Sequence, residues 1–203
     1  MAKKQNYLNL ICTSRYGTGF HTRLSGLELK VSAHYDDIME VYRRLGGILP
    51  EAPTRVGAYD IDTPDFIIEL DEENHFNRYR LCTLDSGIYS GNCNFDVESY
   101  KGFCSSHESN CLTYGKYANN DSTDKQFGAS CVDGDLSGIS RTRWKQRAFY
   151  DYIKDVTSII TGTPIIRISV YDKYKGLTIE SLINSQNREL LLEYIEARLQ
   201  KVL

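Results

Sequence analysis

Residues 54–80 read TRVGAYDIDTPDFIIELDEENHFNRYR, and the fold turns on how this stretch is parsed. Two strand-like runs, TRVGAYDID and FIIELD, flank the turn residues Thr63-Pro64-Asp65. A proline-containing turn between two such runs predicts a β-hairpin. Alternation then places Phe66, Ile68 and Leu70 on one face and Ile67, Glu69 and Asp71 on the other. Glu69 and Asp71 should lie about 7 Å apart on one strand. On the incoming strand Asp60 and Asp62 share a face, and Asp60 falls roughly opposite Glu69, within about 5 Å. Carboxylates that close repel one another unless something compensates. A charged edge-strand end lying in solvent is the plain solution. A hard divalent cation, Mg²⁺ or Mn²⁺, is the chemical one, and such a site can polarise a phosphodiester.

Outward from the hairpin, AHYDDIMEVYRRLGG (residues 33–47) predicts a helix, with Ile38, Val41, Tyr42 and Leu45 at helical spacing and Gly46-Gly47 as its stop. Residues 7–13 and 27–32 are expected to be short strands. SRTRWKQRAFYDYIKDVTSII (140–160) predicts a helix, with Trp144, Ala148, Tyr152 and Val156 along one side and Ser140 as a candidate N-cap. GTPIIRISVYD (162–172) predicts a β-branched strand, and residues 184–203 a final amphipathic helix. Residues 85–140 break this regularity. They are rich in Gly, Ser, Asn and Asp, hold Cys93, Cys104, Cys111 and Cys131, and read as an insertion with its own means of stabilisation. The expected architecture is one α/β domain over 1–203, a small mixed β-sheet flanked by helices, carrying a polar, cysteine-containing insertion at 85–140.

Composition sets broad limits. In 203 residues, 41% are apolar, which suffices for a core, and the net charge of −3 argues against bulk attraction to polyanions. A local basic stripe remains compatible with nucleic acid. The N-terminal stretch lacks a signal-peptide core, and no run approaches the roughly 20 apolar residues of a membrane span. A soluble cytoplasmic protein with no membrane partner is expected, and its cysteines are then less suited to structural disulfides.

The order helix, hairpin, helix, strand, with acidic residues on the hairpin, resembles the PD-(D/E)XK nuclease superfamily, and in pattern its very-short-patch-repair-type members. The resemblance covers roughly residues 33–84 and 141–172. It rests on Glu40 in MEVYRRLGG, Asp60 or Asp62 in AYDID, and Glu69, Asp71 and His75 in IIELDEENH. It implies a restriction-endonuclease-like core and a Mg²⁺-dependent DNA endonuclease of restriction or repair type. Asp60 and Glu69 would hold Mg²⁺ (or Mn²⁺), with Asp62 and Asp71 as further ligands and Glu40 acting through water or a second metal. Asp65 of the literal Pro64-Asp65 pair stands too close to Glu69, so Asp60 is preferred. Asp71 occupies the position where the family has lysine. The missing cation is sought at His75 or at Lys145 on the later helix. A non-catalytic module of the same fold, binding nucleic acid or protein, is the alternative that this departure favours. DNA is the implied partner, and a homodimer is an assembly that such enzymes use.

Two further groups complete the expectations. Arg141, Arg143, Lys145 and Arg147, at the start of a helix, and Arg78 and Arg80 in NRYR suit phosphate contacts. CSSHESNC suggests a structural zinc held by Cys104, His107, Cys111 and Cys131, with Cys93 in place of His107 as a variant. Free buried thiols are the alternative.

Overall fold

A computed structural model describes residues 2–91, 95–112, 121–128 and 142–201. The chain opens with helices α1 (Ala2–Tyr16), α2 (Gly26–Val31) and α3 (Tyr35–Arg44). The hairpin strands β1 (Ile61–Asp62) and β2 (Ile67–Asp71) follow, then a 3-10 turn over Glu73–His75 and helix α4 (Arg78–Leu84). The insertion contributes α5 (Val97–Ser106), α6 (Glu108–Leu112) and α7 (Asp121–Phe127). The long helix α8 (Thr142–Thr161) leads into β3 (Ile165–Ser169). A small ribbon of β4 (Lys173–Tyr174) and β5 (Leu177–Thr178) precedes α9 (Ile179–Asn184) and α10 (Arg188–Leu199).

The hairpin forms as expected. β1 pairs antiparallel with β2, Ile61 opposite Ile68, and β2 pairs parallel with β3, Glu69 opposite Arg167. The result is a mixed three-stranded sheet in the order β1-β2-β3, flanked by helices. Its two faces differ sharply. Phe66, Ile68, Leu70, Ile166, Ile168 and Val170 form an apolar face, covered by Leu8, Ile11 and Cys12 of α1 and by residues of α9 and α10. On the other face Glu69, Asp71, Arg167 and Ser169, all buried, lie under α8. Helix α8 presents Asp151, Lys154 and Asp155 to this face. Its opposite side places Trp144, Ala148, Phe149, Tyr152 and Val156 in a second apolar core with α3.

Two segments expected to be strands are helices. In residues 7–13 the buried side chains are Leu8, Ile11 and Cys12, at helical spacing, while Leu10 is exposed. At 27–32, Ser25 caps the N-terminus of α2 and Glu28 reaches back to the Ser25 amide (2.7 Å). This capping box commits the segment to a helix. The described part of the insertion is largely helical, and its packing is aromatic. Phe76 lies against Tyr100, Phe103 and Tyr171, and Phe95 against Tyr100 (4.7 Å between centroids).

The charged layer between α8 and the sheet is bridged by Arg167. Its Nε donates to Asp155 Oδ1 (2.7 Å), Nη1 to both oxygens of Asp71 (2.9 and 3.0 Å), and Nη2 to the Asp151 carbonyl (2.9 Å). Arg80 of α4 joins from the side, donating to Asp155 Oδ2 (2.9 Å). Breaking a fully buried pair by removing one partner strands the others in a low dielectric. Arg167→Leu is therefore expected to lower the unfolding free energy by about 3–5 kcal/mol in urea titrations. Arg15→Ala, which removes an exposed, solvent-screened pair with Glu196, should change stability little. Equal effects of the two substitutions would contradict this account.

Candidate functional site

Two carboxylate clusters share the charged face. The first gathers Asp60, Glu69 and Lys154. Glu69 is 2% exposed. The Lys154 Nζ donates to Glu69 Oε2 at 2.6 Å, and the Asp60 amide donates to Glu69 Oε1 at 3.3 Å. Asp60, just ahead of β1, is oriented by two donors: the Leu70 amide to Oδ2 (2.9 Å) and Gln5 Nε2 to Oδ1 (3.1 Å). Burial pushes the Glu69 carboxyl up to about 7, against the pull of Lys154. Burial likewise lifts Asp60 above its ordinary range, opposed by Lys154 and the Leu70 amide. Lys154 loses hydration too, yet Glu69 and Asp60 outweigh that loss and keep it cationic. Its Nζ also stands 5.8 Å from the Tyr59 ring centroid. The cluster carries two carboxylates against one lysine, so its charge balance leaves room for a cation. Each carboxylate oxygen here accepts one hydrogen bond, which leaves it a further lone pair. Hard oxygen donors of this kind suit Mg²⁺ or Mn²⁺.

The second cluster holds Asp71, His75 and Asp151. Their ligand atoms lie within 4.8 Å of one another, a spacing that could hold a metal ion. The surrounding charges are already matched, however. Arg167, Arg80 and Arg147 face Asp71, Asp155 and Asp151 with His75 between them. Arg147 Nη1 donates to His75 Nε2 (2.8 Å), which places the ring proton on Nδ1. There it meets Asp151 Oδ2 at 2.7 Å and Asp71 Oδ1 at 3.2 Å. Burial alone would raise the Asp151 carboxyl, but His75, Arg167 and Arg80 hold it well below the usual range. Neither imidazole nitrogen offers a free lone pair, and three arginines oppose an added cation. We read this cluster as a buried scaffold.

The other expected residues fall as follows. Asp62 is bound to His21, its oxygens accepting from the His21 backbone amide (2.9 Å) and meeting Nδ1 (2.5 Å). Asp71 is committed to Arg167, so the strand lysine of the resemblance is replaced by an acid that serves the scaffold. Glu40 sits on the exposed side of α3 beside Arg44 (4.0 Å), with no described contact to the Asp60–Glu69 pair. Lys145 is buried near Gly46, its Nζ 5.7 Å from the Tyr79 ring centroid, and does not reach Glu69. Lys154, nine residues further along the same helix, does. Arg80 is 1% exposed and committed to Asp155, so it is not displayed for phosphate, while Arg147 is partly exposed and bonds His75. Arg78 is half exposed and paired with Glu108 (2.8 Å), and Arg143 bonds Gln146. Arg141 lies outside the described residues.

Zinc ligation by the insertion finds no support in the described positions. Cys111 donates to the Glu73 and Phe76 carbonyls (3.2 and 3.3 Å), and burial pushes its thiol up to about 11. Cys104 is buried, with its thiol pushed up to about 12. His107 stacks flat on Tyr171, centroids 3.8 Å apart. These are thiols and a ring used for packing. Cys93 and Cys131 lie outside the described residues. Sequence reasoning missed Lys154, Gln5 and His21. For Lys154 a signal existed: Arg147, Asp151, Lys154 and Asp155 follow helical spacing and mark a polar stripe on α8.

The model of a family of unknown function (DUF7255) matches residues 40–185, so the chain belongs to that family. The matched span includes Asp60, Glu69 and Lys154. No curated protein and no solved structure matches the chain. Among the described residues, no helix is long and apolar enough to cross a membrane.

The raised Glu69 carboxyl has a consequence for stability. Between its ordinary value of 4.5 and about 7 the folded chain holds a proton that the unfolded chain has released. That contribution is complete below the unfolded value and is lost as pH rises through the folded one. In EDTA, stability in urea is expected to fall across this window. Glu69→Gln, which cannot ionise, should flatten the decline. An unchanged slope in the variant would contradict the assignment.

Proposed function

We propose that this DUF7255 member is a metal-dependent hydrolase of nucleic-acid phosphodiesters, with Asp60, Glu69 and Lys154 as its reacting centre. One observation carries the reading: the 2.6 Å contact of Lys154 with Glu69, beside Asp60. It supplies from α8 the cation that the strand lacks at Asp71. Asp60 and Glu69 would hold Mg²⁺ or Mn²⁺, which when bound supplies Lewis-acid polarisation of the phosphate and a more acidic water. Lys154 has two tasks: it keeps Glu69 oriented, and its ammonium offers charge to the developing phosphorane oxygens or orients the attacking water. Gln5 and the Leu70 amide fix the Asp60 carboxylate so that it need not reorganise. DNA is the substrate favoured by the resemblance.

The burial of Glu69 favours a second reading, a non-catalytic nucleic-acid or protein-binding module. A carboxylate 2% exposed and already paired with a lysine can serve as structure alone. The readings separate in one assay. Mixed single- and double-stranded DNA is incubated with the protein, with and without Mg²⁺. Wild type is expected to cleave only with the metal. Glu69→Gln should lose at least about 10³-fold in turnover and Lys154→Met about 10²-fold, with circular dichroism unchanged. Lys145→Met should leave turnover per folded molecule unchanged. Binding without cleavage under any divalent ion would leave the non-catalytic reading standing.

A further inference from the structure

Segment 17–21, YGTGFH with its leading Tyr16, runs along the free edge of the sheet beside the Asp60–Glu69 cluster and is fastened to β1. Gly19 donates to the Asp62 carbonyl (2.9 Å), and His21 is fixed to the Asp62 carboxylate through both its amide and its ring. Gly19 comes so close that a Cβ there would sit 2.0 Å from the Thr63 carbonyl oxygen, so no side chain fits. Gly17 adopts φ +87°, the left-handed turn that brings the chain off α1 onto this edge. Phe20 lies between the two anchors, and its side chain is 83% exposed. Exposed apolar residues are common singly. An aromatic ring whose two neighbours are both tied down, beside the proposed reacting centre, is a different matter. The backbone ordering that a binding contact usually costs has already been met here.

We infer that Phe20 is a stacking platform for an unpaired nucleobase next to the phosphate that a metal ion on Asp60 and Glu69 would engage. The inference rests on the function proposed above and deepens it toward single-stranded or frayed substrates. Three features favour a base as the occupant. A single ring supplies one π face, enough for a base but far short of the roughly 800 Å² per partner of a stable protein interface. Exposed Arg23, three residues along the chain, suits the adjoining backbone. A neutral base also tolerates the nearby Asp62 and Asp60 carboxylates, which would repel a phosphate seated on the ring.

The test uses the full chain in EDTA, with fluorescence anisotropy of a labelled 12-nucleotide single strand. Wild type is expected to bind, Phe20→Ala about tenfold more weakly, and Phe20→Trp within about twofold of wild type. Equal binding by wild type and Phe20→Ala would overturn the inference, as would equal weakening in both variants. A change in sedimentation on Phe20→Ala, with DNA binding intact, would mark the ring as a contact between copies and also overturn it. Mg²⁺-dependent cleavage is scored separately on the same preparations. Cleavage that persists while Phe20 proves indifferent removes only the platform. Absence of both cleavage and binding in wild type removes the proposed function and the platform together.

Discussion

The structure depends on Arg167. A guanidinium with no exposed surface, placed in the middle of β3, has to find acceptors on every side, and the chain supplies them from two elements, β2 and α8. Asp71 of β2 lies in the same sheet, Asp155 and the Asp151 carbonyl come down from α8, and Arg80 of α4 shares Asp155. These contacts fix the rotation of α8 about its axis. With Asp151 and Asp155 held over Arg167, Lys154 is carried to Glu69. The scaffold and the candidate site are therefore coupled through one helix. Charge buried in this way contributes little net stability against an apolar alternative. Here it ties α8 to the sheet at two points, with Asp155 and the Asp151 carbonyl accepting from Arg167 and Lys154 donating to Glu69.

The same network explains why two neighbouring acidic clusters differ in character. Asp71 and Asp155 are paired with Arg167, Asp151 with His75, and His75 is held by hydrogen bonds at both nitrogens. Asp60 and Glu69 share a single lysine and retain an excess of negative charge in a buried setting. Burial lifts both carboxyls, and at Glu69 the Asp60 charge adds to the rise. Ligand spacing alone would favour Asp71, His75 and Asp151, and charge balance favours Asp60 and Glu69. Charge decides, since the carboxylates beside His75 are already matched by guanidinium groups that an added divalent ion would face.

Much of this was legible in the sequence. The hairpin at 60–71 and its face assignment followed from alternation, and the opposition of Asp60 to Glu69 from the short turn. The α8 core side followed from Trp144, Ala148, Tyr152 and Val156. The acidic strand end was read correctly as needing compensation, but only in part as to kind. Asp71 is compensated by an arginine 96 residues away, a partner that no local pattern announces. A visibly basic run points to Lys145, with His75, for the missing cation and passes over Lys154. Burial reverses that choice, since Lys145 points to Tyr79 and Lys154 to the sheet. The α1 segment was misread because Leu8, Leu10 and Ile11 form a short apolar run, a case where length and caps matter more than hydrophobicity. The insertion reads as starved of a core because its aromatic residues are dispersed in sequence; they pack on one another and on Phe76 and Tyr171 from outside it.

The account separates most cleanly on where a cation binds. Mn²⁺ titrated into the full chain and followed by electron paramagnetic resonance measures this without requiring turnover. The account predicts binding that is abolished by Asp60→Asn and retained in a folded His75→Gln variant. Binding that survives Asp60→Asn and disappears in His75→Gln would place the metal in the Asp71–His75–Asp151 cluster and contradict it.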